Sequence, residues 1–210
     1  RVGIILAVSG GFMDAYSYLC RDHVFANAQT GNMLLLGVHL SQGDVSGALQ
    51  YLCPVAAFTL GIIVADILRY RIDDRRCSLH WRQCSLLIEA LLLLGVAFIP
   101  FRYNLLANSI ISLVCGIQVE SFRKIHDNGI ATTMCIGNLR SGTQNLCEYI
   151  FKKDRSRLRK SLLYYGIIGC FMLGAVMGSI VILWLQEKSI LMCSGILCIA
   201  FVMLHGKIQR

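Results

Sequence analysis

The sequence contains little charge and almost no proline. Only 15% of its 210 residues are charged, and only two are prolines. Soluble domains carry about 25% charged residues, so this composition excludes an ordinary soluble protein. The chain also lacks the proline-rich or serine-rich stretches that join separate domains, and we therefore expect a single membrane domain over residues 1–210.

Motifs of common enzymes and metal sites are also missing. The sequence has no P-loop, no dinucleotide-binding glycine turn and no nucleophile elbow, and its five histidines do not show the spacing of metal ligands. Its ten cysteines form no C-x-x-C pair, and most lie in apolar segments, as small packing residues do. We expect no enzyme activity, no catalytic residue, no metal and no cofactor.

Long apolar runs take up most of the chain, and 56% of the residues are hydrophobic. A transmembrane helix needs about 20 apolar residues. Two of the runs are interrupted by amides, hydroxyls and glycines, namely Val24 to Leu40 and Gly129 to Phe151. Six uninterrupted runs remain: Val2 to Cys20, Leu49 to Tyr70, Cys84 to Pro100, Leu105 to Phe122, Leu162 to Leu185 and Ile190 to Leu204.

The two halves of the chain form an internal repeat, at residues 1–100 and 103–210. At one constant offset, residues that are unusual in a bilayer recur: Gly10, Asp14, Gly31 and Asn32 align with Gly116, Glu120, Gly137 and Asn138. The polar residues Asn27 and Thr133 align at the same offset. Small residues spaced by four recur as well, which allows close helix packing within the chain or in a homodimer.

Basic residues decide how the repeats are oriented. If all eight segments crossed the membrane, the basic loops Arg69 to Arg82 and Lys152 to Lys160 would lie on opposite faces, against the positive-inside rule. If the two interrupted segments re-enter, all but three of the 20 lysines and arginines share one face. The sequence therefore predicts an all-α integral membrane protein with six transmembrane helices, two broken or re-entrant segments and inverted three-span repeats, with both termini cytoplasmic.

The two interrupted segments supply the candidate site. Irregular polar backbone survives in lipid only where it is buried in protein or lines a cavity, and two such segments entering from opposite faces would meet near the midplane. Carboxylates within spans mark cation or proton sites. We expect a site for a small polar solute or ion at these residues: Asp14, Asn27, Gln29, Thr30, Gly31, Asn32, Glu120, Thr133, Gly137 and Asn138.

Other interpretations of the same residues stay open. Asn32 and Asn138 also suit tight helix contacts with bonds to neighbouring backbone, and Asp14 and Glu120 also suit helix ends that cap the next segment. The protein would then be a membrane scaffold or regulator. The net charge of +8 does not indicate nucleic acid as a partner, because orientation and contact with lipid headgroups explain it.

Four stretches of sequence resemble a known family. "GGFMDAYSYL" and "FANAQTGNMLLLG" in the first half, and "GIQVESF" followed by "ATTMCIGNL" in the second, resemble the YoaK family of bacterial membrane proteins. The likeness runs from about Ser9 to Gly178. It implies a multi-pass protein of the bacterial cytoplasmic (inner) membrane, surrounded by lipid, and carries over no substrate or catalytic residue.

Overall fold

The computed structural model describes residues 2–72, 79–123 and 132–208, and within these ranges it contains helices and no β-strand. Short 3₁₀ turns at Phe101–Tyr103 and Gln186–Ile190 precede α5 and α8. The α-helices in chain order are α1 (Val2–Cys20), α2 (Gln29–Ser41), α3 (Val45–Arg71), α4 (Trp81–Val96), α5 (Asn104–Ser121), α6 (Cys135–Lys152), α7 (Arg155–Leu185) and α8 (Leu191–Ile208).

Several of these helices are long enough to cross a membrane. Three stretches have the necessary length and composition, namely Val2–Cys20, Val45–Arg71 and Arg155–Gly206. The third contains both α7 and α8, and the turn between them holds Gln186 at a φ of 45°. The shorter α4 and α5 have 16 and 18 residues, or about 24 and 27 Å of helix. The expected all-α class is confirmed for the described ranges.

Two close helix pairs, α1 with α7 and α3 with α5, bring the halves of the chain together. A Cβ atom on Gly11 would collide with the carbonyl of Phe171, and one on Gly174 would collide with that of Val8. The second pair repeats this contact, with Gly61 against the Leu113 carbonyl and Gly116 against the Phe58 carbonyl. These glycines therefore allow helix backbones from opposite halves to touch.

Arg21 fastens the far end of α1 to the α4–α5 connection. Its side chain is fully buried, and its guanidinium donates to the Tyr16 hydroxyl (2.8 and 3.0 Å), the Asn104 side-chain oxygen (3.0 Å) and the Ile99 carbonyl (2.9 Å). This burial of Arg21 was not predicted from the sequence. This clamp fixes the point from which the chain enters its first interrupted segment.

Candidate functional site

The turn that leads into α2 is held by one asparagine. The Asn32 side-chain oxygen accepts the backbone N–H of Phe25 (3.0 Å), while its nitrogen donates to the Phe25 carbonyl (2.7 Å) and to the Gln29 side chain (2.9 Å). Gln29 in turn donates to the Ala26 carbonyl (2.8 Å). A Cβ atom on Gly31 would touch the Phe25 ring. These residues shape the turn that we call the α2 turn, residues 24–32.

Asp14 connects the α2 turn to the middle of α1. One carboxylate oxygen accepts the backbone N–H of Asn27 (2.7 Å), and the Asn27 side chain donates to the Gly10 carbonyl (3.1 Å). The chain then returns along α2, since Gln50 in the second turn of α3 donates to the Asp22 carbonyl at the end of α1 (2.8 Å). Residues 21–44 thus reach the middle of α1 and come back to the end where they left it.

The chain that leads into α6 reaches the same level of α1. We call its described residues 132–138 the α6 turn. A Cβ atom on Gly10 would meet the methyl group of Thr133, so Thr133 and Asn27 both lie beside Gly10. The sequence alignment had paired Asn27 with Thr133, and the structure places the two turns against one helix position.

A cavity of about 670 Å³ lies where the two turns meet. Six of the ten predicted site residues line it: Asp14, Asn27, Gln29, Thr30, Thr133 and Gly137. Its other walls include three aromatic side chains, Tyr18, Phe25 and Phe171. We call this space the central cavity. Sequence reasoning missed the aromatic walls, because apolar residues give no contrast inside an apolar sequence; their closeness in sequence to the polar motifs was the available signal for Tyr18 and Phe25.

Two of the residues that line the central cavity carry a buried side-chain oxygen. The side-chain oxygens of Asn27 and Thr133 have no hydrogen-bond partner among the residues that the structure describes, although each residue is only 4% exposed. Buried polar groups normally have partners. The central cavity is thus lined by Asp14 and by two side chains, Asn27 and Thr133, that each carry a buried oxygen without a partner in the described ranges.

Four predicted site residues do not line the central cavity. Gly31 and Asn32 shape the α2 turn, and Asn138 is buried at 2% exposure. Glu120 lies in the last turn of α5, where it forms an ion pair with Arg123 (3.3 Å). There it lines a second cavity of about 340 Å³ together with basic residues that include Arg69. The two aligned carboxylates, Asp14 and Glu120, therefore lie in separate places.

Comparison with known proteins shows which family the chain is similar to. A family model described as "Protein of unknown function (DUF1275)" matches residues 2–203. The UPF0700 transmembrane protein YoaK of Bacillus subtilis (strain 168) is 24% identical over 218 residues, covering 97% of this chain and 94% of that protein. No solved structure matches. The resemblance seen in the sequence motifs is confirmed, and the protein is a membrane protein that belongs to the DUF1275 family.

Proposed function

We propose that the protein is a transporter or channel for a small polar solute or ion, with the central cavity as its binding site. The observation that carries the proposal is the meeting of two polar turns beside Gly10 of α1. Polar turns at this depth are typical of transporter sites built from interrupted helices. The proposal includes no enzymatic step and no cofactor.

The helix pairs support six spans in two inverted halves. The first helix of each repeat packs on a long helix of the other, α1 on α7 and α5 on α3. The short α2, with 13 residues or about 20 Å, packs on α3, while α6 packs on α7. Combined with the basic loops, this arrangement favours a bacterial inner membrane protein with both termini in the cytoplasm.

We extend the proposal to a homodimer in the lipid bilayer. The central cavity is open on the side of Ile136, whose side chain is 80% exposed. Polar backbone at membrane depth needs cover from protein or water. A second copy that packs over this side would provide the cover.

A non-transporting scaffold is the second candidate, and the α2 turn is the observation that favours it. Asp14 and Asn32 both bond to the backbone of this turn, which is what a purely structural lock would do. A scaffold would need the hydrogen bonds that close the α2 turn, but it would not need the polar side chains that line the central cavity. The two candidates therefore predict different effects of substitutions in the cavity.

Solute flux in reconstituted liposomes separates the two candidates. The purified protein would be tested with a panel of small neutral, cationic and zwitterionic solutes, and then as Asp14→Asn and Thr133→Val. Asp154→Asn is the matched control, since Asp154 lies outside the cavity and caps α7 through Ser156 (2.8 Å). The proposal predicts flux that both cavity variants reduce at least tenfold while the control retains it. Absence of flux for every solute class, with correctly folded protein, favours the scaffold.

A further inference from the structure

The N-terminal end of α6 opens into the central cavity. Cys135, Ile136 and Gly137, the first three residues of this 18-residue helix, line the cavity. The first N–H groups of a helix have no partner within the helix, and together they carry partial positive charge. In the described part of the chain, no side chain caps this end of α6. It therefore offers hydrogen-bond donors to a negatively charged group.

Thr133 adds a second, independent feature beside these donors. Thr133 lines the cavity, and only 4% of the residue is exposed. Its hydroxyl has no partner among the described residues. A carboxylate group bound at the start of α6 would accept a hydrogen bond from this hydroxyl as well as from backbone N–H groups.

Another part of the cavity wall carries acceptors. One oxygen of Asp14 bonds to Asn27 N–H, and Asp14 remains partly exposed to the cavity. The Asn27 side-chain oxygen, buried and without a partner in the described ranges, lies beside it. A carboxylate with a neighbouring amide oxygen suits an ammonium group, which has three donors and no acceptor.

The donor wall and the acceptor wall lie close together. Asp14 and Cys135 line the same cavity, and their neighbours Asn27 and Thr133 both lie beside Gly10. A free anion would meet the charge of Asp14, and a simple cation would leave the donors of α6 without partners. A molecule that carries an ammonium group and a carboxylate group on the same carbon satisfies the two walls at once.

Aromatic side chains form much of the remaining wall. Tyr18 and Phe25 stack with ring centroids 5.1 Å apart, and Phe171 lies on the α7 side. The volume of about 670 Å³ falls in the range of small-molecule sites. The space beyond the charged groups therefore suits an apolar side chain.

We infer that the ligand is a small zwitterion with adjacent ammonium and carboxylate groups and an apolar side chain, the class of the apolar α-amino acids. This inference rests on the proposed site in the central cavity. The ammonium group binds Asp14 and the Asn27 side-chain oxygen, and the carboxylate binds the start of α6 and the Thr133 hydroxyl. The side chain packs among the aromatic residues.

Binding to the purified full chain tests both charged contacts. Isothermal titration would use L-phenylalanine and L-leucine, followed by phenethylamine, which lacks the carboxylate, and hydrocinnamate, which lacks the ammonium. We expect the two amino acids to bind and each truncated analogue to bind at least about tenfold more weakly, since each loses charge-assisted hydrogen bonds. Phenethylamine binding as tightly as phenylalanine would overturn the carboxylate contact.

Variants of Thr133 test the donor wall without removing charge. Thr133→Val should weaken phenylalanine binding about tenfold and leave phenethylamine binding unchanged, whereas Thr133→Ser should restore it. Thr59→Val is the matched control, because the Thr59 hydroxyl bonds within α3 to the Val55 carbonyl (3.0 Å) on an exposed surface. Equal losses for both ligands, or no loss at all, would contradict the assignment.

The outcomes also separate this inference from the transport proposal. If both amino acids fail to bind while the flux of another solute depends on Asp14, the zwitterion assignment is wrong and the transport proposal stands. If the amino acids bind with the expected pattern but never cross the liposome membrane, the ligand assignment stands and transport is wrong.

Discussion

The α2 turn and the α6 turn correspond in the sequence alignment of the two halves, but their polar groups are used differently. In the α2 turn, Asn32 and Asp14 bond to backbone groups and close the structure on itself. In the described part of the α6 turn, Thr133 and the first residues of α6 face a cavity instead. The comparison suggests that the first half supplies a closed turn with the acceptors Asp14 and Asn27, and the second half supplies donors, so the two aligned turns contribute different chemistry.

Removal of the asparagine that closes the α2 turn should have the largest effect. Asn32→Ala deletes three hydrogen bonds and leaves buried backbone groups of Phe25 without partners. We expect the free energy of unfolding in mixed detergent micelles to fall by about 3 kcal/mol. The control Asn145→Ala, whose amide donates to the Ser141 carbonyl on α6 (2.8 Å), should cost less than about 1 kcal/mol. Equal losses of unfolding free energy for the two variants would mean that Asn32 stabilises the α2 turn no more than Asn145 stabilises α6.

Substitution at the contact between α1 and α7, which holds both turns in place, should have the next largest effect on stability. Gly174→Ala would push a methyl group into the Val8 carbonyl, and the two backbones would have to separate. We expect a loss of about 2 kcal/mol in the same unfolding measurement. Gly169→Ala lies on the same helix with no neighbour within 4 Å of its Cβ position, and it should stabilise α7 slightly. If Gly174→Ala left the free energy of unfolding unchanged, this close contact would be excluded.

Substitution of the aligned glycines Gly31 and Gly137 compares the two turns directly. A Cβ atom on Gly31 would lie 2.8 Å from the Phe25 ring, whereas one on Gly137 would have no neighbour within 4 Å. We expect Gly31→Ala to lower the free energy of unfolding by about 1 kcal/mol and Gly137→Ala to raise it by about 0.5 kcal/mol. Thermal midpoints in detergent check the signs, and identical shifts would remove the contrast between the turns.

Thr133→Val should have the smallest effect on stability. The substitution removes a buried hydroxyl that has no partner within the described residues, so the free energy of unfolding should change by less than about 0.5 kcal/mol. The same unfolding titration measures this value. A loss of more than about 1 kcal/mol would show that the hydroxyl is already bonded in the protein and is not held for a ligand.

The sequence predicted the positions of the helices more accurately than their lengths. The apolar run Val2 to Cys20 is α1 itself, but α7 begins at Arg155, within the basic loop and well before the predicted Leu162. Asp154 explains the difference, because its carboxylate accepts the Ser156 N–H and caps the helix. An apolar run marks the part of a helix that suits a lipid environment, whereas the cap decides where the helix starts.

The candidate site was predicted in part. The aligned residues Asn27 and Thr133 both lie beside Gly10, and both line the central cavity. Glu120 does not join Asp14, because it lies one residue before the end of α5, where the basic Arg123 is in reach. An alignment of repeats shows which positions correspond, but neighbouring charges decide what each side chain contacts.

The sidedness of residues 22 and 43 tests the central claim most directly. In a cysteine-free background, single cysteines introduced as Asp22→Cys and Gly43→Cys would be labelled in intact cells with a membrane-impermeant thiol reagent. Our account predicts that both are labelled from outside, because the chain between them reaches the middle of α1 and returns. Labelling from opposite sides would show that residues 24–40 cross the membrane. The inverted repeat and its shared cavity would then be wrong.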